Sequence, residues 1–353
     1  MTTVAVIGCG RIATNRHFPT LSGMGDVRIK YACDILIEKA NKKKDEFPKI
    51  ENVIEDYKIA LADPEVEVVF VLTPNFAHYT ITMDALKAGK HVFCEKPVTV
   101  NYELSAEMAR EADKQGKLLN IGVCNRYNKS IELLREYNEA GRFGKIYHVY
   151  CSFRTCRNIP GLGGAFTDKA QSGGGVLIDW GVHYLDLILY ILGSPALKTC
   201  TCDAYSEMAK DMKSYKYKSM WAEETKDVEN GVNDVDDFIT GHIRTDGASI
   251  SFNGAWAQNI EPWDTHIDFL GDKGGARLTY GGKFEFFDGQ TLETTKPEYE
   301  YELNDMYVAE VRAFIDDIKR GVKNRNNIDN VLDTMKLLDT LYKSAERKDE
   351  IKL

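Results

Sequence analysis

The chain has 353 residues, more than one hydrophobic core usually serves, so two domains are expected. Its 43% apolar and 28% charged residues are ordinary for a globular protein and argue against disorder. A net charge of -9 with no extended basic run argues against a nucleic-acid partner, and no apolar run reaches the ~18 residues of a membrane span without polar interruption.

Residues 3–7 form a short β-branched strand that runs into Gly8-Cys9-Gly10-Arg11-Ile12-Ala13 and then into a helical stretch. This is G-x-G-x-x-A in the strand–turn–helix setting that dinucleotide binding requires. Gly8 makes the tight turn, Gly10 lets backbone approach a pyrophosphate, and Ala13 lets helix and strand pack closely. Helix N-terminal amides then hold the anion. A second strand, 28–33, ends at Asp34, whose carboxylate can accept hydrogen bonds from a ribose diol and would repel a 2′-phosphate. NAD is therefore expected, with NADP disfavoured. The competing role for Asp34 is a cap on the helix at 35–47.

Residues 66–72 (VEVVFVL) read as a strand buried on both faces, closed by Thr73-Pro74-Asn75. A helix at 79–88 stops at Gly89, and strand 91–94 delivers Glu95-Lys96-Pro97. Helix 102–115 stops at Gly116, and strand 117–123 follows. This alternation points to a doubly wound parallel sheet, whose ligands sit off the carboxyl ends of its strands. Gly8, Asp34, Thr73, Glu95 and Lys96 all lie at such ends.

The second half changes character. Segments 145–156, 238–244, 249–257, 265–270, 275–280 and 283–287 read as strands, many joined by glycine-bearing turns, the mark of antiparallel hairpins. Ahead of most of them, Gly173-Gly174-Gly175 opens an apolar helical run that Gly193-Ser194-Pro195 closes. Its few polar side chains, Asp179, His183, Asp186 and Tyr190, are spaced i, i+4, i+7, i+11 and form one stripe. Buried charge needs a partner, so the stripe faces a cleft or cofactor, or else closes an internal His–Asp hydrogen bond. Two segments, 157–172 and 208–237, are irregular, and loops of that length are usually functional or disordered. The first is glycine-rich and leads into the Asp179 helix, while Trp221 and its neighbours in the second read as a wall that stacks on sugar rings, a lid or a subunit contact. Helices at 306–319 and 328–345 close the chain. Strand 249–257 puts Ile250, Phe252, Gly254 and Trp256 on one face. Left open, that face would be a large apolar patch, so cover by a second subunit is expected, the alternative being the 173–192 helix of the same chain.

The eight cysteines include no C-x-x-C pair and read as reduced structural thiols of a cytoplasmic protein. Cys200-x-Cys202 has no histidine nearby in sequence, so no metal is expected. The chain starts in a strand, so no signal peptide is expected.

Four stretches, GCGRIA at 8–13, LADPEVEVVFVLTPNFAH at 61–78, AGKHVFCEKPV at 88–98 and GGGVLIDWGVHYLD at 173–186, resemble the Gfo/Idh/MocA (glucose–fructose oxidoreductase / inositol dehydrogenase / rhizopine catabolism) family. The resemblance implies an α/β protein with an N-terminal NAD-binding Rossmann domain, residues 1–123. A C-terminal α/β domain, residues 124–353, would hold a large, mostly antiparallel open sheet for substrate binding and oligomerisation, its closing helices able to pack back on the first domain. The implied activity is NAD-dependent oxidation of a secondary ring hydroxyl of a sugar, glycoside or cyclitol. Lys96, Asp179 and His183 would be catalytic, with Lys96 or His183 as the base. The cofactor set would be Gly8, Gly10, Arg11, Ile12, Asp34, Thr73, Pro74, Asn75, His78, Glu95 and Lys96. Candidates for the substrate are Arg126, Tyr127, Arg157, Lys169 and Trp180, the last standing where many relatives carry a smaller residue. A cis peptide before Pro97, a homodimer or homotetramer, and no membrane partner are implied too. Two other functions stay open: redox-neutral glycoside cleavage through a transient keto-sugar, and nucleotide sensing without turnover.

Overall fold

A computed structural model describes every residue except 221–226, 262, 301, 303 and 304, so the role expected of Trp221 lies outside the described residues. The chain forms two compact units, Met1–Tyr127 with Glu302–Leu332, and Asn128–Tyr301 with Asp333–Leu353.

The first unit holds β1 (Thr2–Ile7), β2 (Val27–Cys33), β3 (Asn52–Ile54), β4 (Val68–Val71), β5 (His91–Glu95) and β6 (Leu119–Gly122) in one sheet of order β3-β2-β1-β4-β5-β6. Every pairing is parallel. The order reverses between β1 and β4, and ligands bind at such a switch point. Helices α1 (Phe18–Gly23), α2 (Ile37–Glu46), α3 (Tyr57–Ala62), α4 (Asn75–Lys87) and α5 (Tyr102–Gln115) connect the strands. Local chemistry sets their ends: the Asn101 side chain accepts from the Leu104 amide to start α5, and Gly116, at φ 61, stops it. α4 begins at Asn75, earlier than its apolar periodicity suggests, because Pro74 (φ -59) ends the preceding turn and can precede a helix without losing an amide bond. β3 escaped sequence reading because it is short and not buried.

Helix Asp305–Arg320 completes this unit's core. Phe70 and Phe93 stack with centroids 5.2 Å apart, and Phe314 meets Phe70 edge-on at 6.4 Å. Val311 and Ile315 join the same cluster.

The second unit is a nine-stranded sheet of β7 (Ile146–Arg154), β8 (Leu197–Tyr205), β9 (Phe238–Thr245), β10 (Ser249–Ala255), β11 (Asp264–Gly271), β12 (Gly274–Thr279), β13 (Phe284–Asp288), β14 (Glu293–Thr295) and β15 (Ile351–Lys352). Its order is β14-β13-β12-β11-β7-β10-β9-β8-β15, antiparallel apart from the β7–β10 pair. Helices α6 (Lys129–Glu139), α7 (Lys169–Ser172) and α8 (Val182–Ile191) belong to this unit, as does most of helix Leu332–Arg347.

Alternation divides the sheet's faces. Val149, Cys151, Phe153, Ile239, Ile243, Ile250, Phe252, Ile267 and Phe269 are buried, while His148, Tyr150, Arg154, Ser249, Ser251 and His242 point the other way. Ile250, Phe252 and Trp256 are at most 1% exposed within one chain, which overturns the expectation that a second subunit covers them. The cover is internal: Phe153 stacks on Tyr184 of α8 at 4.6 Å, and Gly254 has no side chain because a Cβ there would lie 2.0 Å from the Phe153 ring. The stretch Lys169–Ile191 is long and apolar enough to cross a membrane by composition, but 89% of its apolar window is buried in this fold. All eight cysteines are free and buried.

Candidate active site

In the first unit the site is assembled by topology. β2, β1, β4 and β5 are neighbours and parallel, so Asp34, Gly8, Thr73 and Lys96, which follow their C-termini, share one edge. Gly8 has φ +100, and a Cβ on it would come within 2.5 Å of the Leu72 carbonyl oxygen, so only glycine fits this crossing. Gly10 is exposed and a Cβ there would meet nothing within 4 Å, leaving bare backbone facing open space. The helical stretch begins at Arg11, and Gly10, whose carbonyl accepts from the Thr14 amide at 3.0 Å, has no side chain to cap it. Bare backbone at an uncapped helix start suits a phosphate group. Arg11 is exposed beside it. The Asp34 carboxylate accepts from the Cys9 amide through Oδ2 and from the Leu36 amide through Oδ1, both at 2.9 Å, so it braces the glycine turn and the start of the next helix together. Burial, and then the Asp34 charge, push the Cys9 thiol up to about 12, which leaves it un-ionised. The Thr73 Oγ1 is buried without a partner among the described residues. These features fit a dinucleotide along this edge.

The residues around Lys96 are tightly held. The Lys96–Pro97 peptide is cis. Glu95 accepts from the Lys96 amide at 3.1 Å, and its other oxygen lies 2.7 Å from His17 Nε2. His78, 1% exposed, spans two carbonyls, Nδ1 to Pro97 and Nε2 to Thr73, each at 2.8 Å. Burial lowers its pKa, and the two carbonyls oppose that. His78 thus ties the β4 and β5 ends together from beneath. Arg126, 3% exposed, is turned into its own unit, donating to the carbonyls of Arg325 and, at 2.8 Å, Asn330. Tyr127 lies under the Arg325 guanidinium at 4.5 Å.

In the second unit the apolar helix is not uniform. Leu177–Gly181 is a π-helical turn, and α8 follows it. Such turns recur at functional sites because they re-aim side chains relative to a regular helix. Asp179 is 8% exposed in this turn, and Trp180 and His183 are half-buried. The rest of the polar stripe is structural. Asp186, 1% exposed, accepts from the Thr334 hydroxyl at 2.8 Å, and Tyr190 lies under the Arg135 guanidinium at 4.2 Å. Arg157, at φ 51, donates to Asn259 Oδ1 at 2.6 and 2.9 Å. Lys169 is exposed, its ammonium 3.4 Å from Glu346.

Sequence reading missed two residues here, Asp236 and Tyr342, both of which touch the start of the Asp179 turn. The signal was the triple glycine. A Cβ on Gly174 would lie 2.2 Å from the Tyr342 hydroxyl, and one on Gly175 would lie 1.9 Å from the Asp236 carbonyl oxygen.

Comparison with known proteins matches both parts of the chain to one family. Residues 2–123 match the oxidoreductase family with NAD-binding Rossmann fold, and residues 131–277 match the GFO/IDH/MocA C-terminal domain. D-glucoside 3-dehydrogenase of Escherichia coli (strain K12) is 30% identical over 352 residues, 99% of this chain and 97% of that one. Myo-inositol 2-dehydrogenase of Thermotoga maritima is 28% identical over 190 residues, 54% of each chain. A solved levoglucosan dehydrogenase, in complex with NADH and levoglucosan, shares the fold with a TM-score of 0.85 over 99% of both chains at 19% identity. With both domain matches and a relative aligned along nearly its whole length, the chain belongs to the Gfo/Idh/MocA family of oxidoreductases, and its first domain is that family's NAD-binding Rossmann domain.

Proposed function

We propose that this protein is an NAD-dependent dehydrogenase that oxidises a secondary ring hydroxyl of a sugar, glycoside or cyclitol. The observation that carries the reading is the shared strand edge at the β1/β4 switch point, where Gly8, Gly10, Asp34, Thr73 and Lys96 collect. The substrate class follows the similarity to D-glucoside 3-dehydrogenase along 99% of the chain. Bound NAD supplies the hydride acceptor. His183 takes the hydroxyl proton, Lys96 hydrogen-bonds the same oxygen and stabilises the charge developing on it, and Asp179 orients the substrate. Asp34 selects NAD over NADP through the ribose diol. The free, buried thiols support a reducing, cytoplasmic setting. The protein works as a homodimer or homotetramer, paired through the sheet face that carries His148, Tyr150, Ser251 and His242.

A screen of D-glucose, methyl glucosides, levoglucosan and inositols, followed by NADH absorbance, tests the activity. His183→Ala and Lys96→Ala are each expected to cut kcat ~100-fold or more while NADH still binds. Near-normal turnover in either removes that residue from the mechanism. Asp34→Ala is expected to weaken NAD binding far more than NADP binding; equal loss would reduce Asp34 to its bonds with Cys9 and Leu36.

A further inference from the structure

The first four amides of a helix have no partner inside it. Ahead of Asp179 all four are taken up by two residues distant in sequence. Gly175 donates to Asp236 Oδ1 at 2.8 Å and Leu177 to Asp236 Oδ2 at 2.9 Å. Val176 donates to the Asp236 backbone carbonyl at 2.9 Å, and Ile178 to the Tyr342 hydroxyl at 3.2 Å. The same hydroxyl donates to Asp236 Oδ1 at 2.9 Å, closing the ring of bonds. The fifth amide, that of Asp179, then makes the first intrahelical bond, to the Gly175 carbonyl at 3.0 Å.

An ordinary N-cap serves one or two amides with a side chain from the residue just before the helix. This clasp serves four, and its members stand on the approach to β9 and on helix Leu332–Arg347. It is buried, since Asp236 is 7% exposed, and burial pushes its carboxyl above the ordinary carboxylate range while the two amides and Tyr342 pull it back. A carboxylate is the right group there, because the helix dipole favours negative charge at that end. Two glycines have no side chain so that the clasp can close on them. A π turn is less favourable than continued α-helix, so it persists only where its surroundings hold it.

We propose that Asp236 and Tyr342 are positioning residues. By fixing amides 175–178 they set the rotation and height of the π turn, and through it the direction of Asp179 and His183. The proposal rests on the reading of those two as working residues. Misplacing a catalytic group by about 1 Å costs on the order of 100-fold in rate.

The test uses the full chain with saturating NAD and whichever sugar turns over fastest in the screen above. Asp236→Asn, which replaces one acceptor oxygen with an NH2 donor that faces other donors, is expected to lower kcat ~100-fold, and Tyr342→Phe, which keeps the ring, ~10-fold. The dissociation constant for NADH, read by fluorescence, stays unchanged in both. Hydrogen exchange needs no substrate: in Tyr342→Phe it is expected to speed up about tenfold at residues 175–183 and not elsewhere. Wild-type kcat in both variants while His183→Ala is inactive overturns the positioning proposal alone. So does faster exchange spread evenly over the second unit with kcat per folded molecule unchanged, the mark of a purely structural clasp. Normal turnover in His183→Ala overturns the reading beneath it instead.

Discussion

Glu95 stands next to the proposed catalytic lysine, yet its carboxylate is already engaged on two sides, by the Lys96 amide and by His17. His17 is completely buried, its Nδ1 has no partner among the described residues, and its Nε2 lies 2.7 Å from Glu95 Oε1. Gly122 leaves room for this arrangement, since a Cβ there would press on the carboxylate at 3.0 Å. Asp237, the neighbour of the clasp aspartate, presents a different case. It is 3% exposed, its Oδ2 accepts from the Met208 amide at 2.6 Å, and its Oδ1 has no partner among the described residues. Burial pushes its carboxyl from 3.8 up to about 6. A group that holds its proton more tightly when folded contributes stability that is complete below the unfolded value and lost as pH rises through the folded one. Urea unfolding is therefore expected to show a fall on the order of 2 kcal/mol between pH 4 and 6 from this group, absent in Asp237→Asn. A fall of equal size in the variant would assign it to another residue.

At the scale of elements, helix Asp305–Arg320 matters beyond its place near the end of the chain. Its Val311, Phe314 and Ile315 are at most 1% exposed and finish the core built around Phe70 and Phe93. The ion pairs its Arg312 and Lys319 make with Asp26 are exposed and contribute little by comparison. Phe314→Ala in the full chain is expected to lower unfolding stability by about 3–5 kcal/mol, as for other large-to-small changes in a packed aromatic core. A loss under about 1 kcal/mol would mean that the helix rests on the surface and the first unit needs only its N-terminal residues. The Asp179 helix shows the opposite balance: α8 is apolar almost all round and self-evidently buried, while the few residues before it depend on bonds from elsewhere.

At the scale of the molecule, the proposed oligomer turns on the sheet face left uncovered in one chain. Ser249 and Ser251 keep its centre low, and they accept or donate to His148 and His242 at 2.7 and 3.1 Å. Tyr150 stands beside them, 52% exposed, and Arg154 with Asp264 and Arg277 with Asp268 supply both signs of charge. A face that carries both charges can meet a second copy of itself. Light scattering is expected to give a dimer or tetramer, and Tyr150→Arg to shift it toward smaller species. A monomeric parent at micromolar concentration would sink the idea.

The sequence by itself determined the elements whose cause is local. β1 through Ala13, the buried β4 run, the stop at Gly116 and the glycine-bearing hairpins are short-range chemistry, and short-range chemistry is written in neighbouring residues. It also marked the strand-end residues, because parallel strands must end on one edge whatever packs around them. Tertiary structure decided what depends on partners far along the chain. His78 and Arg126 became braces because carbonyls of Pro97 and Asn330 stand in reach of them. The aromatic face of β10 was covered from within because α8 brings Tyr184 onto Phe153. Alternation tells which residues share a face of a sheet but not what lies over it. The three glycines at 173–175 were visible as a helix start, while their reason, Asp236 and Tyr342, is a contact between segments that only the folded chain brings together.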